Sequence, residues 1–449
     1  MLAFAVTAFV PAVLNDGDTF LHVAAGMRMI DARAVLFADP FSYTFGGKPW
    51  TAHEWFAEIL MAGAYRVGGW GGLIALFAMC AAVTGGVLAW TIRRWLSPVA
   101  QAIVTVLACS CMTGSLLARP HLLALPLLAV WTAEMVSARA DKRAPSWWLL
   151  LVMCVWANIH GSFVLGLAVG AALGLEALIE DRRAFGRWAT FGIGAVAVTL
   201  INPRFVEGAV FPLLFSGAPS LAHVDEWQPT ALSLFQPLVL VTLAGAYMLI
   251  TRRVWVPLVR ALVVLGLVYE AFAHQRHQIV FAVIAPLLLA EPMGHAFGAS
   301  DEARGAWARF AAVGAAVVLM ALMVARLVLP IARGDQAVAP VTALAHVPEN
   351  VRREPVLNDY SFGGYLIFAG VKPFIDSRAE LYGETALSNY AALIKPDAAA
   401  LERTLAEHAI AWSILSPTSP MVPELTRKGW RTAYADRFAV VQIRDTHRR

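Results

Sequence analysis

Residues 71–94 read GGLIALFAMCAAVTGGVLAWTIRR, an apolar run without a charge that closes on Arg93 and Arg94. A membrane-crossing helix needs about 20 predominantly apolar residues, and this run meets that length. Outward from it, similar runs recur at 1–14, 98–117, 122–138, 147–157, 162–179, 187–201, 231–251, 255–273, 278–292 and 307–330. The sequence therefore predicts a polytopic α-helical membrane protein of about 11 spans. Residues 1–14 would rise only about 21 Å, so that helix is expected to enter obliquely or to begin upstream. It lacks the basic start and cleavage site of a signal peptide. Residues 147–157 and 162–179 flank Asn158, His160 and Gly161 and read as a hairpin with a submerged tip.

Composition agrees. Of 449 residues, 59% are hydrophobic and 15% charged, against about 45–50% and about 25% in soluble domains. A soluble enzyme, a disordered chain and a nucleic-acid binder are excluded, and a net charge of +4 is too small to trap polyanions. Residues 331–449 hold 27 of the 66 charged residues, so a membrane domain (1–330) is followed by a small water-facing domain (331–449). Cys80, Cys109, Cys111 and Cys154 all lie in apolar runs, which favours small buried hydrophobes over a disulfide framework or metal site.

The loops alternate in charge. One set carries twelve basic residues, among them Arg93, Arg94, Arg139, Lys142, Arg143 and Arg253; the short loops of the other carry Arg119, Arg204 and Arg276. Cytoplasmic loops are enriched in Lys and Arg. The N-terminus is thus expected in the cytoplasm and residues 331–449 outside, with the large loop 15–70, the Arg119-Pro120-His121 turn, the Asn158–Gly161 tip, loop 202–230 and the His274–His277 turn.

Those outer loops hold nearly all the unusual polar residues. Asp16 and Asp18 stand where the first span ends. Asp18 reads either as the N-cap of a helix from Thr19 to about Ile30, or as a surface carboxylate acting as general base or metal ligand. His22, four residues on, shares its face. Thr51-x-x-Glu54 matches a capping box, which leaves His53 unexplained. Arg119 could snorkel or, with His121, bind phosphate through its guanidinium fork. Asn158 and His160 lie near or below the surface, where polar groups usually face a cavity. Asn202 and the pair Asp225-Glu226 bracket another outer loop. Glu270 lies about a turn inside the membrane and needs a partner, for which Arg276 is the candidate. A transporter would keep its polar residues near the midplane on repeated halves, and no repeat is visible. The pattern suits a catalytic cavity at the outer surface.

From 331 short strands and helices alternate, predicting a mainly parallel α/β sheet. Strands are expected at 355–359, within 372–378, at 410–415, and as a pair at 430–434 and 438–443. Asn358, Asp359, Asp376 and Arg378 would fall at strand C-termini, where such sheets bind ligands, unless they serve packing. Gly363-Gly364 is no dinucleotide fingerprint.

The run Asp16-x-Asp18-Thr19 with His22, then Asp39-Pro40-Phe41-Ser42 and His53-Glu54-Trp55, resembles bacterial multi-spanning members of the GT-C glycosyltransferase superfamily. The tail resembles their periplasmic domain through Asn358-Asp359-Tyr360, Gly363-Gly364-Tyr365, Asp376-Ser377-Arg378 and Leu381-Tyr382-Gly383. The resemblance covers nearly the whole chain. It implies transfer of a sugar from a polyprenyl-phosphate-linked donor at the outer face of the inner membrane, to a glycan, lipid or protein acceptor. It also implies a first-loop acid as base or ligand of a divalent metal, a position matched by Asp18 and then Asp16. An Asp-Glu pair is missing from that loop and no acceptor-sequon motif is visible, so the acceptor stays open. Arg119, Arg276 and His160 would meet the lipid phosphate, among membrane lipids. Two other readings remain: a lipid-linked glycan polymerase or ligase, and a non-catalytic membrane protein or transporter.

The charge asymmetry makes one prediction. A reporter active only outside the cytoplasm should be active when fused after residue 449 and silent after Arg143 or Arg253. A silent C-terminal fusion reverses the assigned sides.

Overall fold

The computed structural model describes residues 1–9, 11–215, 227–233, 235–297, 307–329, 331, 333–395 and 398–444. In chain order its helices are α1 (Leu2–Phe9), α2 (Gly17–Ala32), α3 (Trp55–Ile92), α4 (Pro98–Met112), α5 (Pro120–Ala140), α6 (Leu149–Ala157) and α7 (Phe163–Glu180). Then come α8 (Phe185–Thr199), α9 (Val206–Phe215), α10 (Pro237–Thr251), α11 (Leu258–Ala273), α12 (Gln278–Phe297) and α13 (Trp307–Val328). The remainder alternates α14 (Val341–Ala345), α15 (Glu349–Arg352), β1 (Val356–Asn358), α16 (Gly363–Phe368), α17 (Ala379–Ile394), α18 (Ala398–Glu407), β2 (Trp412–Leu415), α19 (Met421–Arg427), β3 (Arg431–Ala435) and β4 (Val440–Ile443). Two compact units result: residues 1–10 with 68–329, and residues 11–67 with 330–449. The division expected near residue 330 thus differs in one respect, because the first loop belongs with the tail.

Among the described residues each apolar run of the helical unit carries a helix. Among the described residues five helices are long and apolar enough to cross a membrane, Trp55–Ile92, Pro98–Ser115, Pro120–Ala140, Phe163–Glu180 and Gln275–Phe297, and three shorter ones are also apolar. One of these, α9, lies within the expected 202–230 loop. The first of the five is broken at Gly68 and Gly69, where φ of +56° suits only glycine; the run quoted above starts just past the break.

Side-chain contacts fix the helix directions. The His121 ring, at the start of α5, lies 6.3 Å from the His160 ring just before α7, so α5 and α7 run parallel. Arg260, in the first turn of α11, grips Glu176 near the end of α7 at 2.9 Å, so α11 runs the other way. The Gln275–His277 turn then sends α12 back parallel to α5. Asn158 Nδ2 donates to Ile201 O at 2.8 Å, bringing the end of α8 to the same side. One end of the bundle therefore gathers the turns at Arg119–His121, Asn158–Gly161, Asn202 and His274–His277. The other holds basic residues with their partners: Arg94 with Asp141 at 2.6 Å, and Arg143 with Glu134 at 2.8 Å. Here too Arg260 is buried among Glu176, Glu291 at 2.8 Å and Leu288 O at 3.3 Å, while Arg139 meets Glu176 at 3.1 Å. A charge within a membrane protein is costly unless paired, and this cluster supplies the pairing.

The second unit carries a four-stranded sheet in the order β1-β2-β4-β3. β1 and β2 are parallel, but β4 is antiparallel to both β2 and β3. The sheet is mixed, which corrects the expectation of a mainly parallel one. The strand expected within 372–378 is absent. Pro373 has no N–H, and the N–H groups of Phe374 and Ile375 go to Asn358 Oδ1 at 2.7 and 3.4 Å instead of to a neighbouring strand.

The first loop is built into this unit. Asp39 folds its own turn by accepting from the N–H groups of Phe41 and Ser42 at 2.9 and 3.1 Å. Its Oδ1 also receives Arg378 Nη1 at 2.7 Å, while Asp376 takes Nε and Nη2 of the same guanidinium at 2.7 and 2.6 Å. The Arg378 side chain is 2% exposed and both carboxylates are fully buried. Trp50 lies under the guanidinium at 4.7 Å and bonds Glu380 at 2.9 Å. Burial alone would weaken the charge on Arg378, but Asp376 and Asp39 outweigh it and hold its pKa above the ordinary arginine value. Further back, α2 crosses α16 so closely that a Cβ on Gly364 would stand 2.2 Å from Gly17 O.

Removing Arg378 leaves two buried carboxylates without a counter-charge, which typically costs about 3–5 kcal/mol. Arg378→Met is expected to lower the melting temperature of the full chain in detergent and to increase protease cleavage within residues 33–54. Unchanged cleavage there would mean that the loop is held by other contacts.

Candidate functional site

The acids and histidines of the first loop meet where α2 crosses the start of α3. Asp16, not Asp18, is the N-cap: its Oδ2 accepts from Thr19 N and Oγ1 at 3.2 and 3.3 Å, and the residue is 5% exposed. Asp18 is half-buried in the first turn, so capping does not account for it. A Cβ on Gly26 would stand 1.9 Å from Glu58 O; only glycine lets the helices approach this closely. The approach sets His22 Nδ1 at 3.1 Å from Glu58 Oε1 and Nε2 at 3.8 Å from Glu54, while His53 lies 3.8 Å from Glu54. Helix α3 begins at Trp55, so Glu54 directly precedes its first turn.

Burial acts to lower the pKa of His22, but the hydrogen bond to Glu58 and the charges of Glu54, Glu58 and Asp18 outweigh it and raise the value to about 9. These contacts favour the imidazolium form of His22. Burial pushes the Glu54 carboxyl up, opposed by His53 and His22. Glu58 was missed in the sequence; its spacing of four from Glu54 on one helix face was the available signal.

The four tail residues make contacts within their own unit. Asn358 is fully buried: Nδ2 donates to Asp359 O and Ile375 O, each at 2.8 Å, and Oδ1 accepts from Phe374 N. Asp359 caps a short turn through Ser361 N at 3.1 Å. Asp376 and Arg378 form the clamp on the first loop.

At the polar end of the helical unit, His160 Nδ1 accepts from Ser162 N at 3.1 Å. In the neutral ring this puts the proton on Nε2 and makes that edge a donor. His121 Nε2 lies 3.1 Å from Ser115 O. Asn158 is nearly buried and ties Cys154 O to Ile201 O, and Asn202 closes its own turn with Thr199 O, Phe205 O and Arg204 N, each at 2.8 Å; both have structural roles. Glu270 pairs with His277 at 3.0 Å and approaches His274 at 3.9 Å, whereas Arg276 lies over the Trp227 ring at 4.9 Å. The expected Glu270–Arg276 pair is thus replaced. Glu226 falls outside the described residues.

Among the described residues no three His, Cys, Asp or Glu side chains converge as metal ligands.

No protein-family model matches the chain, and no curated protein matches it. Solved structures do. One is the oligosaccharyltransferase AglB of Archaeoglobus fulgidus in complex with an inhibitory peptide and a dolichol-phosphate, at 11% identity and a TM-score of 0.58. The fold of this chain is similar to that of an archaeal oligosaccharyltransferase. A second Archaeoglobus fulgidus oligosaccharyltransferase structure, in the apo form, gives 12% identity and a TM-score of 0.52. Each comparison covers 92% of this chain and 68% of the other. At such identity the likeness concerns the fold: a mostly helical membrane architecture with a small mixed sheet.

The His22 cluster gives a pH prediction. A histidine whose folded pKa is raised contributes stability fully below its unfolded value, about 6.5, and loses it as pH rises through about 9. The melting temperature should fall over that window, and His22→Gln should flatten the fall. A wild-type profile that stays level would show that His22 is not an imidazolium.

Proposed function

We propose that the chain is a membrane glycosyltransferase that moves a sugar from a polyprenyl-phosphate-linked donor to an envelope acceptor at the outer face of the bacterial inner membrane. The observation that carries the reading is the fold: 92% of the chain aligns with a transferase whose solved complex contains a dolichol-phosphate. The gathering of polar turns at one end of the helical unit supports it, since apolar helices offer a lipid tail a compatible surface while their polar ends suit its head group.

In this reading the acceptor oxygen attacks the anomeric carbon, the bond from that carbon to the phosphate oxygen breaks, and polyprenyl phosphate departs with the bonding electrons. Asp18 takes the acceptor proton as general base. Glu54 and His53 complete its polar surroundings, with His22 as a fixed positive charge. Within the helical unit, Arg119 and Arg276 offer positive charge and His121 and the Nε2–H of His160 offer hydrogen bonds to a lipid phosphate. The N-terminus is cytoplasmic, the tail periplasmic and the span count about eleven.

Because Asp16 already caps α2, Asp18→Asn should leave helix stability nearly unchanged while abolishing proton acceptance. Loss of a general base typically costs on the order of 10²–10⁴ in rate. The variant should elute normally in detergent gel filtration, lose at least roughly a hundredfold of transfer, and accumulate lipid-linked sugar in cells. Asp16→Asn should lose less, since Asn caps about as well as Asp. A well-folded Asp18→Asn protein with near-normal turnover would move the role of base to Glu54.

A further inference from the structure

Arg333 follows the last apolar run, and no sequence motif marks it. In the unit formed by the first loop and the tail, its Nη2 donates to Leu14 O at 2.7 Å and to Gln336 Oε1 at 2.6 Å. Leu14 closes the short turn Pro11–Leu14, and its carbonyl also accepts from Asp16 N at 2.8 Å. The final carbonyls of a helical turn lack partners within it, and a cation is favourable there. The same guanidinium lies 4.3 Å from the centre of the Phe20 ring, within cation–π range. Phe20 is itself buried against Tyr365 and Phe368 of α16, with ring centres 5.3 and 5.4 Å away. Between these two anchor points lie Asp16 and Asp18. Burial lowers the pKa of Arg333 to about 10 and the Asp16 charge opposes that, so the acid and the guanidinium are electrostatic neighbours.

We propose that Arg333 is a positioning residue for Asp18, fixing the Asp16–Asp18 segment at its entry through Leu14 and at its exit through Phe20. The role rests on the reading of Asp18 as the base. Arginine suits it because a planar guanidinium donates along its edge while stacking with its face; a lysine provides the charge and a donor without the stacked plane. Loss of Arg333 would leave the Asp18 carboxylate present but displaced, and a displacement of about 1 Å can cost on the order of a hundredfold in rate.

The test uses the full chain in phospholipid nanodiscs, as wild type, Arg333→Gln and Arg333→Lys, with three readouts. Amide hydrogen exchange over residues 16–21 reads the segment without any activity. Decaprenyl phosphate binding reads the phosphate site. Transfer from polyprenyl-phosphate-linked hexoses and pentoses reads the chemistry. Arg333→Gln should speed exchange at 16–21 about tenfold and lower kcat about ten- to a hundredfold. The sheet strands should stay protected and the decaprenyl phosphate Kd should stay within about twofold of wild type; Arg333→Lys should fall between the two. If Arg333→Gln also exposes the sheet, the lysine variant carries the comparison. Unchanged exchange at 16–21 overturns the proposal whatever the activity. Weakened decaprenyl phosphate binding with kcat intact makes Arg333 a phosphate contact and overturns it as well. Exchange that responds in a chain whose wild type transfers no sugar overturns the role in catalysis by failure of the transferase reading, with the anchoring itself still seen.

Discussion

The guanidinium of Arg378, shared between Asp39 and Asp376, is the constraint on which the second unit depends. It joins positions 339 residues apart in sequence. Two carboxylates and one guanidinium in a buried site are stable only with nearly every polar atom satisfied. Here the Asp39 turn, the Arg378 backbone and the Tyr382 hydroxyl, 2.8 Å from Asp376, meet that demand. Burial, and next the Asp376 charge, keep the Tyr382 phenol protonated, so it remains a donor. With Asp39 held, the 39–50 segment is laid on the tail through Tyr43, Thr44 and Trp50. The chain then enters α3 where Glu54 and Glu58 face His22.

Each end of the helical unit settles its polar groups differently. One end locks Glu176, Arg260 and Glu291 into a buried network in which each charge answers another. The other spends its hydrogen bonds on short turns, with His160 oriented by Ser162 and Glu270 held by His277. The first arrangement is suited to holding helices together. The second places imidazoles and guanidinium groups at the starts of α5 and α7 and in the turn before α12.

Much of this was legible in the sequence because period and composition report burial directly. The apolar runs, α2, β1, β2 and the β3–β4 pair follow from hydrophobic spacing. What escaped was long-range pairing. Asp39 lies in a Pro-containing turn sequence and Arg378 at the end of an expected strand, and nothing in either neighbourhood names the other. The strand expected within 372–378 failed because Asn358, from another element, claims its N–H groups. Asp18 and Asp16 traded places at the cap because the helix starts two residues earlier than the pattern implied. Arg276 was paired with Glu270 on charge alone, whereas an aromatic face and a histidine divided the two.

The second unit is assembled from the first and last parts of the chain, residues 11–67 and 330–449, and this sets an order of events during synthesis. Ribosomes add about 5–20 residues per second, so the intervening stretch takes roughly 10–50 s to emerge. Throughout that interval Asp39, Trp50 and Phe20 are made but have no tail to bury them. The early segment must wait, solvated or chaperoned, until the last quarter of the protein arrives. A chain stopped short near residue 330 would retain Asp16, Asp18 and Glu54 while losing the scaffold that arranges them. Quality control that reads exposed aromatic surface would therefore register an incomplete C-terminus through its effect on the N-terminus.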